Sequence, residues 1–279
     1  MRTRVSRRRV VPRTIEPVRC DTVTGRDHEL RIPHPTEQGR AGVTAYALVH
    51  GAWHGAWCWE RLAAELEGRG HRVVAVDLPS DDATATFETY AEVVVRALEA
   101  DGAEEVVVVG HSLAGLTIPL VAARRPVSRL VYLCALIPIP GRSFAEQMQI
   151  EPDTLLREFH AGMSEPDDQG RTRWEDRGVA RSVLYADCDE RDASAAFERL
   201  RPQAQTPYAE PCPIEGFPLT PCTYIVCGED RIVNPDRSRT IARGRLDAEL
   251  VELPGSHSPF LSRPDELAAV LHERAEVTT

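Results

Sequence analysis

The chain has 279 residues, 42% of them hydrophobic, enough for one large α/β domain or two small ones with a substantial core. Its net charge of −10 argues against nucleic acid or an anionic membrane as the main partner, and no run of about 18 apolar residues is present to span a bilayer. All 33 cationic side chains are arginine, so Schiff-base catalysis, a pyridoxal phosphate site and a P-loop lysine are chemically impossible.

Along the chain, the first 20 residues carry seven arginines against one acid, Glu16, with no apolar segment after them. This is not the pattern of a secretory signal, and residues 1–40 read as a disordered arginine-rich arm. Such an arm can bind nucleic acid, but the acidity of the remaining chain opposes that reading. Order is expected to begin near Val43. Strands are expected at Thr44–Val49, Val73–Val76, Glu105–Val109, Arg129–Cys134, Thr223–Cys227 and Glu249–Glu252. Amphipathic helices are expected at Cys58–Glu67, Thr86–Ala100, Leu113–Arg124, Asp236–Arg245 and Pro264–Glu273. Such alternation implies a mostly parallel sheet with helices on both faces, an α/β fold. Residues 138–221 interrupt it with a polar, proline-bearing stretch, patchily helical at Phe144–Ile150, Asp153–Phe159 and Ala193–Leu200. An insertion of this kind reads as a cap over the sheet edge, flanked by core segments 41–137 and 222–279.

The seven cysteines (20, 58, 134, 188, 212, 222 and 227) include no Cys-x-x-Cys pair, so neither a zinc site nor a redox motif is indicated. Cys134 and Cys227 fall in apolar runs and read as buried thiols. The expected compartment is the reducing cytoplasm.

Chemistry concentrates at strand ends. Val106–Val109 is a β-branched run that passes into Gly110-His-Ser-Leu-Ala114 and then a helix-compatible segment. A serine on such a strand–turn–helix bend is a candidate nucleophile, held clear of the sheet on a turn that demands small flanking residues. Gly110 meets that demand, and Ala114 stands where a second glycine is usual. A serine hydroxyl needs a base, and the base needs an orienting acid. Asp230 follows the strand Thr223–Cys227 and is the favoured acid, with Glu229 beside it as the alternative. His257 lies in the loop after the strand at 249–252 and is the candidate base. His272, His160, His28 and His34 compete poorly, because they fall on a helix, in the insertion and in the unstructured start. An oxyanion needs backbone N–H groups. Leu113, directly after the serine, and Ala52, in the turn His50-Gly-Ala-Trp-His54 after the first strand, are the candidates. His50 and His54 are spaced as helical metal ligands would be, but the intervening glycines argue against a helix and for a structural role. Trp53, Trp57 and Trp59 either wall an apolar pocket or pack the first helix. No metal or cofactor is called for. A small-molecule ester is the expected partner, and the oligomeric state is not readable.

With these residues in view, the chain resembles the α/β-hydrolase superfamily, and within it the small cap-bearing group of plant methylesterases, hydroxynitrile lyases and bacterial carboxylesterases such as pyrethroid-hydrolysing enzymes. The matching motifs are His50–Trp59, Asp77-Leu-Pro79, Gly110–Gly115, Asp230–Pro235 and Gly255–Pro259. The resemblance implies Ser112 as nucleophile, His257 as base, Asp230 as orienting acid, the Ala52 and Leu113 amides as oxyanion hole, and 138–221 as a lid. Hydroxynitrile lyases of this group carry a lysine beside the catalytic histidine, where this chain has Ser258, and a threonine where Gly51 stands. Both departures favour hydrolysis of a carboxylic ester over cyanohydrin cleavage. The alternatives are a lyase or other non-hydrolytic enzyme on this scaffold, or a ligand receptor with a vestigial triad.

Overall fold

The computed structural model of the protein describes residues 44–276. The expected arm over residues 1–40 lies outside the described residues. The core begins with β1 (Ala45–Val49), a 3-10 turn (Ala56–Trp59) running into α1 (Glu60–Gly68), β2 (Arg72–Val76), α2 (Phe87–Asp101) and β3 (Val106–His111). A second 3-10 turn (Ser112–Leu116), α3 (Ile118–Arg124) and β4 (Arg129–Leu133) follow. The chain then leaves the sheet for α4 (Phe144–Ile150), a 3-10 turn (Arg157–Gly162), β5 (Arg171–Thr172), α5 (Arg177–Leu184), α6 (Glu190–Glu198), β6 (Gln203–Ala204) and α7 (Thr206–Ala209). It returns with β7 (Cys222–Cys227), α8 (Pro235–Leu246), β8 (Glu249–Leu253), α9 (Pro259–Ser262) and α10 (Pro264–Glu276).

The fold is α/β, one parallel sheet between two layers of helices. Its sheet runs β2-β1-β3-β4-β7-β8, every pair parallel, while β5 and β6 form a separate antiparallel pair. Every residue of the central strands β1, β3 and β4 is buried, whereas the edge strands β2 and β8 are partly exposed. That is why the central strands read as unbroken apolar runs: both of their faces are covered. Alternate residues feed two cores. Tyr46, Leu48, Val107 and Val109 face Leu62 and Leu66 of α1 and Leu267 and Leu271 of α10. Ala45, Ala47, Val106 and Val108 face the opposite core, with Val94 and Leu98 of α2 and Ile118 and Val121 of α3. Among the described residues no helix is long and apolar enough to cross a membrane, and the six described cysteines are all free thiols.

Strand order sets where a site can form. β1 lies between β2 and β3, so successive crossovers leave it in opposite directions, and a crevice opens beyond the carboxyl ends of β1 and β3. Ala52 and Ser112 follow those two ends.

Several elements differ from the sequence expectation. Asp153–Phe159 is not an α-helix: Leu155 bridges Val233 and the Leu156 N–H donates to Ile232 O at 2.9 Å, so pairing with a distant loop holds Leu155 and Leu156 out of a helix, and only the 3-10 turn from Arg157 follows. The expected helix Leu113–Arg124 is a 3-10 turn followed by α3, because Pro119 in the first turn of α3 has no N–H to continue a single ladder. β4 stops at Leu133, and Cys134 takes a left-handed φ of 46°. α5 was not expected; Asp176 caps it, accepting the Val179 N–H at 2.9 Å. α6 begins at Glu190, where Asp189 accepts the Asp192 N–H at 2.7 Å.

The bend after β3 is tight on both sides. A Cβ on Gly110 would stand 2.7 Å from the Ile118 side chain, and one on Gly115 would collide with the Leu136 backbone carbonyl. The closest approach is therefore at Gly115, while Ala114 is accommodated with its carbonyl accepting the Thr117 N–H at 2.9 Å. Gly115→Ala is expected to destabilise the fold by about 1–3 kcal/mol, because backbone rather than a flexible side chain must give way. Urea denaturation of the two proteins measures it.

Candidate active site

Ser112 sits at φ 53°, a left-handed conformation that only the surrounding bend can enforce on a serine. Its side chain opens into a cavity of about 690 Å3, lined also by Ala52, Trp53, Leu113, Phe159 and Ile232. Gly51 must lack a side chain, since a Cβ there would lie 2.8 Å from Ser112 Cβ and 3.0 Å from His111 Nδ1.

Asp230 and His257 arrive on neighbouring loops at the ends of β7 and β8. Those loops are stitched by Gly228 N–H to Leu253 O and Glu229 N–H to Gly255 O, both 3.0 Å. His257 Nδ1–H donates to Asp230 Oδ2 at 2.8 Å, with both side chains buried. The other carboxylate oxygen of Asp230 accepts the Ile232 and Val233 amides at 2.7 and 3.1 Å. Three N–H groups thus meet one buried carboxylate, the arrangement its burial requires. Glu229 is exposed, and the contact to His257 is made by Asp230. The bond at Nδ1 leaves Nε2 of a neutral His257 as an acceptor.

His111, next to Ser112, ties the histidine loop to the serine bend. Its Nε2–H donates to the His257 carbonyl at 2.9 Å, and the two rings lie 4.6 Å apart. Sequence reasoning assigned His111 no role, because its importance lies in a backbone carbonyl 146 residues away.

The two amides expected to hold an oxyanion are aimed by their own peptide units. In a trans peptide the carbonyl and the following N–H point in opposite directions. Gly51 O accepts His50 Nδ1–H at 2.8 Å, which directs the Ala52 N–H away from His50. Ser112 O accepts the Leu136 N–H at 3.0 Å, which fixes the Leu113 N–H in the same manner. His50 is held in turn by the Leu78 N–H donating to its Nε2 at 3.0 Å. His54 Nδ1–H donates to Ala52 O at 2.9 Å, and its Nε2 accepts from Tyr185 Oη at 3.0 Å. Both histidines therefore shape the turn as neutral rings of fixed tautomer. Burial pushes His50 down to about 4 and His54 down to about 3, and holds His111 well below the usual histidine value.

The three tryptophans divide between the two readings. Trp53, at φ 60°, lines the cavity and meets Trp174 edge-on at 5.8 Å. Trp59 is fully buried against Phe260 at 4.8 Å. Trp57 stacks on His54 with the Arg199 guanidinium over its ring at 4.8 Å.

Asp187, between α5 and α6, grips the histidine loop from outside. Its carboxylate accepts from Ser256 Oγ and from Arg263 Nη2, the latter at 3.0 Å, and a Cβ on Gly255 (φ 97°) would collide with it. Burial pushes the Asp187 carboxyl up, but hydrogen bonds from Ser256 and Arg263 outweigh that and hold it below its ordinary value. Asp187→Ala is expected to lower kcat about tenfold or more with a smaller change in KM, since a loosened loop misplaces the imidazole. Steady-state kinetics on one ester decide this; an unchanged kcat refutes it.

Fold and site together define an α/β hydrolase. The chain belongs to the alpha/beta hydrolase family, which residues 47–270 match. It is 31% identical over 248 residues to methylesterase 3 of Arabidopsis thaliana, covering 82% of this chain and 94% of that protein. Methyl jasmonate esterase 1 of Vitis vinifera is 28% identical over 255 residues, covering 83% and 96%. The crystal structure of a pyrethroid hydrolase from Sphingobium faniae superposes with a TM-score of 0.73 at 26% identity, over 84% of this chain and 98% of that one.

Proposed function

We propose that the protein is a cofactor-free carboxylic ester hydrolase in which Ser112, His257 and Asp230 form a catalytic triad. The observation that carries this reading is the buried His257–Asp230 hydrogen bond of 2.8 Å on a loop bonded to the residue preceding Ser112. In this mechanism Ser112 Oγ attacks the ester carbonyl while His257 Nε2 takes its proton. The Ala52 and Leu113 amides stabilise the oxyanion, and the imidazolium, steadied by Asp230, returns the proton to the leaving alcohol. Water activated by the same imidazole then releases the acid from the acyl-enzyme. Residues 138–221 act as the cap, since Phe144, Phe159, Met163 and Thr172 from this segment wall the cavity that Ser112 also lines. The methylesterase and pyrethroid hydrolase relatives support an ester as substrate, and the free thiols support a reducing compartment, the cytoplasm.

The test is covalent labelling with a fluorophosphonate followed by peptide mass spectrometry. One adduct, on Ser112, is the expected result; an adduct elsewhere, or none, sinks the assignment. A second expectation concerns the acid. Asp230→Asn presents an N–H or a weaker acceptor to His257 and favours the wrong tautomer. It is expected to lower kcat by about 10^3- to 10^4-fold while KM changes little.

A further inference from the structure

The cavity wall is apolar over most of its surface, which makes its few interior polar groups informative. Arg157, His160 and Glu165 are exposed, and the Ser164 hydroxyl is engaged, among the described residues, by a backbone group alone, the Arg173 N–H at 2.9 Å. Thr172 and Gln205 differ. Both line the cavity, both are half-buried, and they come from the paired segment β5–β6 and the residue following it. The Gln205 backbone N–H donates to Gly170 O at 3.0 Å, so the two residues are held in register.

Thr172 Oγ1 accepts two hydrogen bonds, from Trp53 Nε1–H at 3.2 Å and from Gln205 Nε2–H at 3.2 Å. A hydroxyl has two lone pairs and one proton. With both lone pairs engaged, the Thr172 O–H still has a bond to donate, and among the described residues no acceptor takes it. Gln205 Oε1 likewise has no donor among the described residues. Turning the Gln205 amide over exchanges the roles without removing the surplus: Thr172 then donates to Oε1, and both Gln205 N–H groups are left over. Trp53 Nε1 can only donate, so its bond to Thr172 is fixed in either arrangement. Either way the wall presents an unused donor to the cavity, one indole away from the Ala52 turn that Trp53 continues.

We propose that the Thr172–Gln205 pair, held by Trp53, determines specificity by donating a hydrogen bond to a second oxygen of the substrate, away from the scissile ester. The preferred substrates are then largely apolar esters that carry a ketone or ether oxygen at the matching distance. This rests on Ser112, which lines the same cavity, as the nucleophile. A site built to hydrogen-bond a substrate group rejects the analogue lacking it, because its own polar atom is left unpaired.

The experiment compares p-nitrophenyl octanoate with the set of isomeric oxo-octanoates, the ketone moved along the chain one carbon at a time. For the wild type, at least one isomer is expected to exceed octanoate in kcat/KM by about tenfold. Thr172→Val is expected to bring the ketone-to-octanoate ratio of kcat/KM to within about twofold of one, and Thr172→Ser is expected to retain the preference. The proposal is overturned if no isomer outperforms octanoate, or if Thr172→Val slows octanoate and ketone equally. Octanoate turnover that survives Ser112→Ala would overturn the nucleophile itself, a distinct failure that removes this proposal with it.

Discussion

Ser112→Ala is expected to reduce ester turnover by about 10^4-fold or more, with folding unaffected. The attacking oxygen is gone, and what remains is the modest acceleration from bound substrate and oriented amides. Alanine fits the bend because the methyl occupies the position of Ser112 Cβ, which Gly51 leaves just enough room for. Ser112→Gly should be equally inactive and at least as stable as the alanine variant, since glycine adopts φ 53° without steric cost. Burst kinetics with a p-nitrophenyl ester and thermal melts of the three proteins measure both effects. Residual turnover within tenfold of wild type would falsify the nucleophilic role.

The largest effect on stability is expected from acid. His50, His54 and His111 are buried and neutral, each with a folded value depressed by burial. For a base, a depressed folded value means that the unfolded chain binds the proton first. Stability is therefore intact above the unfolded value of 6.5 and falls as pH drops from there toward the folded values, about 4 for His50 and about 3 for His54. His50 and His54 each remove about 1.4 kcal/mol per pH unit in that window, so at pH 5 the two together remove about 4 kcal/mol, and His111 acts in the same direction. That is a large share of the whole stability of an ordinary domain, about 5–15 kcal/mol. Urea midpoints between pH 8 and 4.5 test this: a midpoint that stays level down to pH 5 refutes it. The window lies above that of the depressed carboxyl Asp187, whose contribution is lost only at lower pH.

The strands were legible because their burial on both faces forces continuous apolar runs, as in Val106–Val109 and Leu130–Leu133. Ser112, Asp230 and His257 could be singled out as candidates because the bend after β3 and the loops after β7 and β8 carry local chemical signatures that survive without knowledge of packing. The cap was far less legible. Asp153–Phe159 has helical spacing, yet its bridge from Leu155 to Val233 decides its shape, and no local pattern encodes a partner that distant.

What the sequence by itself determined was the alternating α/β order, the bend at Ser112 and the residue types able to make a relay, since each follows from near-neighbour sterics and periodicity. Only the tertiary structure decided that Asp230 rather than Glu229 meets the imidazole, and that three flanking histidines are locked as neutral struts. It also decided that Thr172 and Gln205 meet on the cavity wall with a hydrogen-bond donor to spare. The physical reason is that hydrogen-bond valence and desolvation depend on which groups are brought within about 3 Å of one another. That depends on side chains more than a hundred positions apart, as with His111 and the carbonyl of His257 or Trp53 and Thr172.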